Sequence, residues 1–275
     1  MHLLTNLRRF WTYQKVRFLL IPTAILVCAF VFSASGFSGQ FSFKVGTVAV
    51  LTVLVFLFWL RVLDEHKDQE NDSKYRSELP VPSGLVTLAE LRWVGVAALL
   101  FVAGLNAIVD LSLLVPIAII FVYSLLMYKE FFVGAWLREH MPIYLMSHMV
   151  IMPLLAFYVI RMNALMFLIW VFLNGLLMEI GRKIRSPEEE KTGIDTYSKS
   201  WGHKRATSIW IGILCLSLGT AIFLAGANTL WTTSIFAVAL ACVTTASRAP
   251  KTIDKMSGLW CLCAYLWLGL ALLYR

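Results

Sequence analysis

The sequence predicts an all-α integral membrane protein in which nine transmembrane helices surround a central cavity, capped by two polar cytoplasmic loop regions. Three observations carry this expectation. Hydrophobic residues fill 59% of the 275 positions and charged residues only 15%, with a mean hydropathy of +0.76, whereas a soluble domain is charged at roughly one position in four. Apolar runs of about twenty residues, long enough to cross a hydrocarbon core of about 30 Å, recur from end to end. The charge that remains is concentrated between them, above all in 61–92 and 179–206.

In chain order the spans are expected near 17–35, 42–60, 93–109, 112–128, 142–160, 163–181, 207–226, 230–247 and 258–274. A basic flank of Arg8, Arg9, Lys15 and Arg17 precedes the first, and Phe10, Trp11 and Tyr13 give it the amphipathic entry of an interfacial anchor. Its apolar run is long and no small-residue cleavage site follows, so it reads as a spanning helix and not as a cleaved signal. The short connections at 36–40, Asp110 and Ala227–Asn228 are simple turns between spans. One membrane domain, 1–275, accounts for the whole chain.

Nine spans place alternate loops on opposite sides, and the charge distribution tests that count. One side collects 21 of the 24 Lys and Arg, leaving only Lys44, Arg161 and Arg275 on the other. Cytoplasmic loops are the basic ones, so the N-terminus and both polar loops are expected in the cytoplasm and the C-terminus on the opposite side. The net charge of +8 then reflects membrane topology and anionic lipid head groups, and not nucleic-acid binding. Cys28, Cys215, Cys242, Cys261 and Cys263 fall within spans and lack the spacing of a zinc site or disulfide framework, so they read as packing residues.

The stretch Arg61–Gly84, RVLDEHKDQENDSKYRSELPVPSG, is the most polar part of the chain. If it continues the preceding helix, Asp64, Asp68 and Asp72 recur at i, i+4 and i+8 and drift by about 40° per step, so they share one face with Arg61. Like charges at this spacing destabilise a helix and call for a cation, such as a metal ion. The second polar loop, Glu179–Arg205, supplies Glu179, Arg182 and Lys183 at one-turn spacing, then Arg185 before Pro187 ends the helix. Carboxylates, cations and an apolar chamber beneath suit a diphosphate on a hydrophobic tail. Mg2+ takes oxygen ligands and shares its shell with phosphates, while Arg and Lys neutralise the rest. Candidate diphosphate ligands are Arg61, Lys74, Arg76, Lys129, Arg182, Lys183, Arg185 and Tyr197. Asn106, His148 and Asn174 are polar side chains inside spans, and the many aromatic residues there are assigned to packing and lipid contact.

At these residues the sequence resembles the UbiA superfamily of intramembrane prenyltransferases, which also includes membrane terpene cyclases. Asp64, Glu65, Asp68 and Asp72 fill the family's first motif, N/D-D-x-x-D-x-x-x-D, with Asp64 for the usual Asn and Glu65 for the usual Asp. Pro80–Gly84, PVPSG, looks like the family's RPLPSG turn, with Leu79 at the position of its Arg. Gly193, Ile194, Thr196 and Gly202 match the spacing of the second motif, whose two aspartates fall here on Arg185 and Glu189. The resemblance implies Mg2+-dependent ionisation of an isoprenyl diphosphate, with Asp64, Asp68, Asp72 and Glu179 as catalytic residues. Either Glu189 with Glu188, or Glu179, supplies the second metal site. The prenyl group then passes to a lipophilic acceptor or, alternatively, cyclises on its own double bonds. A transporter or lipid-binding protein is the remaining alternative, disfavoured because the charges gather at one membrane face and not near the midplane.

The topology has a direct test. Single cysteines introduced at Ser73 and Thr192 are both expected to react with an impermeant thiol reagent from the cytoplasmic side only; labelling from opposite sides would break the nine-span assignment.

Overall fold

The structure is a computed structural model that describes residues 2–190, 192–226 and 229–274. The connection expected at Ala227–Asn228 lies outside the described residues. Every regular element among the described residues is helical. Among the described residues nine stretches are long and apolar enough to cross a membrane, and they match the expected spans one for one, the second running on to Lys67 and the other ends shifted by a few residues.

The amphipathic entry forms α1, His2–Tyr13, followed by a π-helical turn, Gln14–Phe18, and then α2, Leu20–Ser38. The π turn closes on Leu19, which has φ 49° and ψ 57°, a left-handed conformation in a residue with no glycine-like freedom. Next come α3, Phe43–Lys67, and the short α4, Gln69–Tyr75. After the PVPSG turn, Thr87 caps α5, Leu88–Val109, in a capping box with Glu90. A 3-10 turn leads into α6, Leu114–Tyr128, after which Glu130, Phe131 and Phe132 all take positive φ. The chain continues through α7, Gly134–Glu139, α8, Met141–Met149, α9, Ile151–Ile160, and α10, Leu165–Arg182. It ends with α11, Tyr197–Trp201, α12, His203–Ala225, α13, Thr229–Arg248, and α14, Ile253–Leu273.

These helices pack as two compact units. The first comprises 1–28 and 42–132, and the second 29–41 and 133–275. In the first, α3 packs along α5 because Gly95 lets the Trp59 ring approach; a Cβ at Gly95 would lie 3.1 Å from it. Polar groups join the helices at depth: Trp59 Nε1 donates to Ser124 Oγ at 3.0 Å, and Asn106 Nδ2 to Thr52 Oγ1 at 2.7 Å. Without water, such a group must find its partner on another helix or on its own backbone.

The second unit is organised on α10, which packs against α12 and α14 through the fully buried rings of Trp170, Trp210 and Trp260. Asn174 Oδ1 accepts from Ser217 Oγ at 2.8 Å and from Trp260 Nε1 at 3.1 Å, so Asn174 is helix-packing glue. Two turns along α12 toward the polar loop, Trp210 Nε1 donates to Ser257 Oγ at 2.8 Å. Gly181 permits that contact: a Cβ there would sit 2.0 Å from Ser257 Oγ. Gly181→Ala is therefore expected to push α10 and α14 apart and to cost about 1–3 kcal/mol, measurable as a lower melting temperature in detergent beside an Ala substitution at Gly212, where a Cβ meets open space.

Candidate active site

The acidic stretch begins where α3 leaves its apolar run. Backbone i→i−4 bonds continue past the helix end, from Asp68 to Asp64, Asp72 to Asp68 and Arg76 to Asp72, each 2.8 Å. Asp68 itself has φ −91° and ψ 2°, so the helix breaks there and α4 sets off anew. The single continuing helix expected from the spacing is thus divided at its middle carboxylate. Carboxylates one turn apart oppose a regular helix, and a residue in the bridge region relieves the crowding.

The break gives the acids separate environments. Asp64 is half-exposed and 4.0 Å from Arg61, Asp68 is part-buried, and Asp72 and Glu65 are both only 2% exposed. Burial, the neighbouring Asp64 and the more distant Asp72 together raise the Asp68 carboxyl above the usual carboxylate range, against Lys67 and Arg76. A carboxyl perturbed by burial and by like charge is a candidate functional group.

Glu65 and Asp72 meet their cations. Arg17, in the π turn, donates from Nε to Glu65 Oε1 at 2.5 Å and from Nη2 to Asp72 Oδ2 at 3.3 Å. Tyr13 Oη donates to Glu65 Oε1 at 3.4 Å, and Arg76 Nη2 pairs with the other oxygen of Asp72. Burial disfavours the Arg17 charge, but the bond to Glu65, the charge of Glu65 and that of Asp72 outweigh it and raise its pKa. The Tyr13 hydroxyl is pushed up by burial and then by Glu65. Arg17 was read in the sequence only as part of a basic flank. No spacing rule marks it, because its acids lie 48 and 55 positions away and Glu65 already has Arg61 one turn earlier on its own helix.

The remaining basic candidates of this unit lie nearer solvent. Lys74 and Lys129 are exposed and rest 5.1 Å and 4.9 Å from the ring centroids of Tyr75 and Tyr128. Arg76 is different: with Nη2 on Asp72, its Nε is buried and has no hydrogen-bond partner. The PVPSG turn is closed by Ser83 N to Leu79 O at 2.9 Å and Val86 N to Pro80 O at 3.1 Å, with Gly84 at φ 76°. That positive φ gives its glycine a backbone reason. Arg9 clasps the same turn, reaching Leu85 O at 2.7 Å and Glu90 at 3.1 Å.

In the second unit, Glu179 ends α10 with its carboxylate between Arg182 Nε at 2.5 Å and Lys183 Nζ at 3.1 Å. Lys183 also lies 5.7 Å from the ring centroid of Tyr197, which is buried, and Tyr197 packs on Trp201 at 4.5 Å. Burial, then the nearby Glu179, raises the Tyr197 hydroxyl. Arg185 holds its place by backbone, its N–H donating to Ser198 Oγ at 3.0 Å and its carbonyl accepting from His203. Glu188 and Glu189 are exposed, and Glu189 accepts from the Ser186 amide at 3.3 Å. The acid that organises this loop is Glu190, which accepts from Thr196 Oγ1 at 2.7 Å and Ser198 Oγ at 2.5 Å; sequence reasoning passed over it. Beside this loop an open apolar groove is lined by Leu145, Met146, Leu176, Ile180 and Trp201, with Arg205 at its polar edge.

Among the described residues no three His, Cys, Asp or Glu side chains gather closely enough to hold a metal ion. The reason is visible in the first unit, where Asp72 turns to Arg17 and Arg76 instead of joining Asp64 and Asp68. His148, the other polar side chain singled out within a span, bonds through Nδ1 to Tyr144 O at 2.9 Å and stacks on the Tyr144 ring.

Comparison with known proteins identifies the fold. The sequence model of the UbiA prenyltransferase family matches residues 24–273. The apo structure of a UbiA homologue from Aeropyrum pernix K1 superposes with a TM-score of 0.71 at 13% identity, covering 91% of this chain and 97% of that one. A digeranylgeranylglyceryl phosphate synthase gives a TM-score of 0.61 at 15% identity, covering 97% of each chain. A UbiA homologue from Archaeoglobus fulgidus bound to DMAPP and Mg2+ gives 0.61 at 14% identity, covering 93% of this chain and 98% of that one. No curated protein matches the chain.

The ion pairs at the end of α10 predict a modest stability effect. Glu179→Gln leaves Arg182 and Lys183 able to turn to water, so it is expected to cost about 1 kcal/mol and not the larger amount of a stranded buried charge. Thermal unfolding in detergent checks this.

Proposed function

Because the chain belongs to the UbiA prenyltransferase family, whose enzymes act on isoprenyl diphosphates, we propose that it is an intramembrane, Mg2+-dependent prenyltransferase. It ionises an isoprenyl diphosphate and passes the prenyl group to a lipophilic acceptor. The observation that carries this reading is the end of α3, where an apolar membrane helix runs straight into Asp64 and a part-buried Asp68 crowded by like charge. The fold shared with a homologue bound to DMAPP and Mg2+ supports it.

The donor set fits a hard divalent ion. Mg2+ needs only one or two protein carboxylates when water and phosphate complete its shell. Asp64 and Asp68 would hold it, with Asp72, Glu179 and Glu189 as the further acidic candidates. When bound, the ion neutralises charge on a leaving diphosphate.

The chain's own groups do the rest. Arg76 has a buried Nε–H to give to a phosphate oxygen while Nη2 stays on Asp72. Arg61, Lys74, Lys129, Arg182, Lys183, Arg185 and the Tyr197 hydroxyl are the other candidate diphosphate ligands. As the allylic C–O bond breaks, its electron pair leaves with the diphosphate, and a guanidinium such as that of Arg76 stabilises the charge as it grows. A nucleophilic atom of the acceptor then bonds to the prenyl carbon and loses its proton. Apolar helices around the tail keep water from capturing the cation. The N-terminus and both polar loops lie on the cytoplasmic side and the C-terminus opposite.

One observation favours a second reading, intramolecular cyclisation. At the two acidic positions of the second motif stand Arg185 and an exposed Glu189 engaged with the Ser186 amide, so the chain departs from the transferase pattern there. The experiment is to incubate purified protein with Mg2+ and isoprenyl diphosphates of several lengths, with and without aromatic or lipid acceptors, and to analyse the extract by mass spectrometry. Product only with acceptor is expected; a cyclic product without acceptor would replace transfer by cyclisation. Asp68→Ala is expected to abolish turnover in protein that still folds in detergent, and near-normal turnover would remove the metal assignment.

A further inference from the structure

Arg17 is set apart from the other basic residues of the N-terminal flank by three features. Its side chain is only 10% exposed, between Glu65 at 1% and Asp72 at 2%. Its two acids stand on opposite sides of the Asp68 break, Glu65 on α3 and Asp72 on α4. It also projects from a π turn, a rare form that is frequent at functional positions, which closes on a left-handed Leu19 and is held by Gln14 through Leu19 N to Gln14 O at 2.7 Å and Leu20 N to Gln14 Oε1 at 3.0 Å. A strained backbone persists only where its surroundings over-determine it. Here the surroundings are a guanidinium fork seated on two buried carboxylates, a geometry that lysine cannot reproduce.

We propose that Arg17 is a positioning residue for the acidic stretch: its guanidinium clamps α3 to α4 across the Asp68 break and so holds the Asp68 carboxylate in the orientation that binds the divalent ion. The clamp is carried by the amphipathic N-terminal segment, which makes that segment a working part of the site. Arg9 anchors the same segment eight residues earlier, on Leu85 O and Glu90. Asp72 and Glu65 serve in this arrangement as the seats of the clamp, with Tyr13 and Arg76 as their second partners. The inference rests on the reading of the acidic stretch as a metal site.

Direction is what separates this role from plain charge balance. Removing a cation from beside four acids strengthens cation binding if Arg17 is only a countercharge; it weakens binding if Arg17 orients a ligand. Mn2+ binding to the full-length protein in detergent, with inorganic diphosphate present and the same solution without protein as the blank, is read from the EPR signal of the free ion. Arg17→Gln is expected to weaken binding by about tenfold or more, as loss of a ligand-orienting partner does. Arg17→Lys should fall between Gln and the native protein, and Lys15→Gln should match the native protein. Hydrogen exchange supplies the second readout: in Arg17→Gln the amides of 69–76 should exchange about tenfold faster while those of α5 keep their rates.

Tighter or unchanged Mn2+ binding in Arg17→Gln, or unchanged exchange in 69–76, would overturn the proposal. Should Arg17→Gln fail to fold, the same two measurements on Arg17→Lys decide it, and native values in both count against the clamp. If the native protein binds no Mn2+, the metal reading falls, and with it the role of Arg17 in ion binding; exchange in 69–76 then tells whether the clamp exists as architecture alone.

Discussion

A carboxylate buried at the edge of a membrane core is unstable unless a cation is buried with it. Glu65 and Asp72 are in that position, and the Arg17 guanidinium that answers both is the interaction on which the acidic stretch depends. It joins α3 to α4 across the Asp68 break and, together with the Gln14 bonds to the π turn and the Arg9 contacts with Leu85 O and Glu90, holds the N-terminal segment against the polar loop. Removing one member of such a triad strands a charge, which is far more costly than losing a surface pair.

The two polar loops solve the same electrostatic problem differently. In the first, the cations come from other parts of the chain, and Asp64 and Asp68 are left with weak or unfavourable neighbours. In the second, Glu179 is satisfied within its own helix by Arg182 and Lys183, and Glu190 draws Thr196 and Ser198 into a tight loop. The first therefore divides its acids between two that are buried on cations and two that are not. The second is closer to internal balance, consistent with basic Arg185 standing where the family has an aspartate.

Spacing made some of these relations legible from the start. Glu179, Arg182 and Lys183 lie at i, i+3 and i+4, and the structure pairs them as that spacing requires. Gly84 and Gly202, read only as motif matches, both take the positive φ that explains glycine there. The acidic face was legible as a pattern and its separate environments were not, because a period says which side chains point the same way and nothing about what packs over them. Glu190 was overlooked since neither a motif nor a helical period marks it; its partners lie six and eight residues on, across a loop.

Taken alone, the sequence determined that this is a membrane protein, the number of its apolar spans and where its charge collects, since crossing a hydrocarbon layer depends on length and composition that each segment carries within itself. It also determined the family, through residues at fixed spacing. Only the tertiary structure decided which carboxylates are buried, that the helix breaks at Asp68, and that Arg17 reaches acids 48 and 55 positions away. Partner choice follows from which groups lose water together, and that is a property of packed helices and not of any one of them.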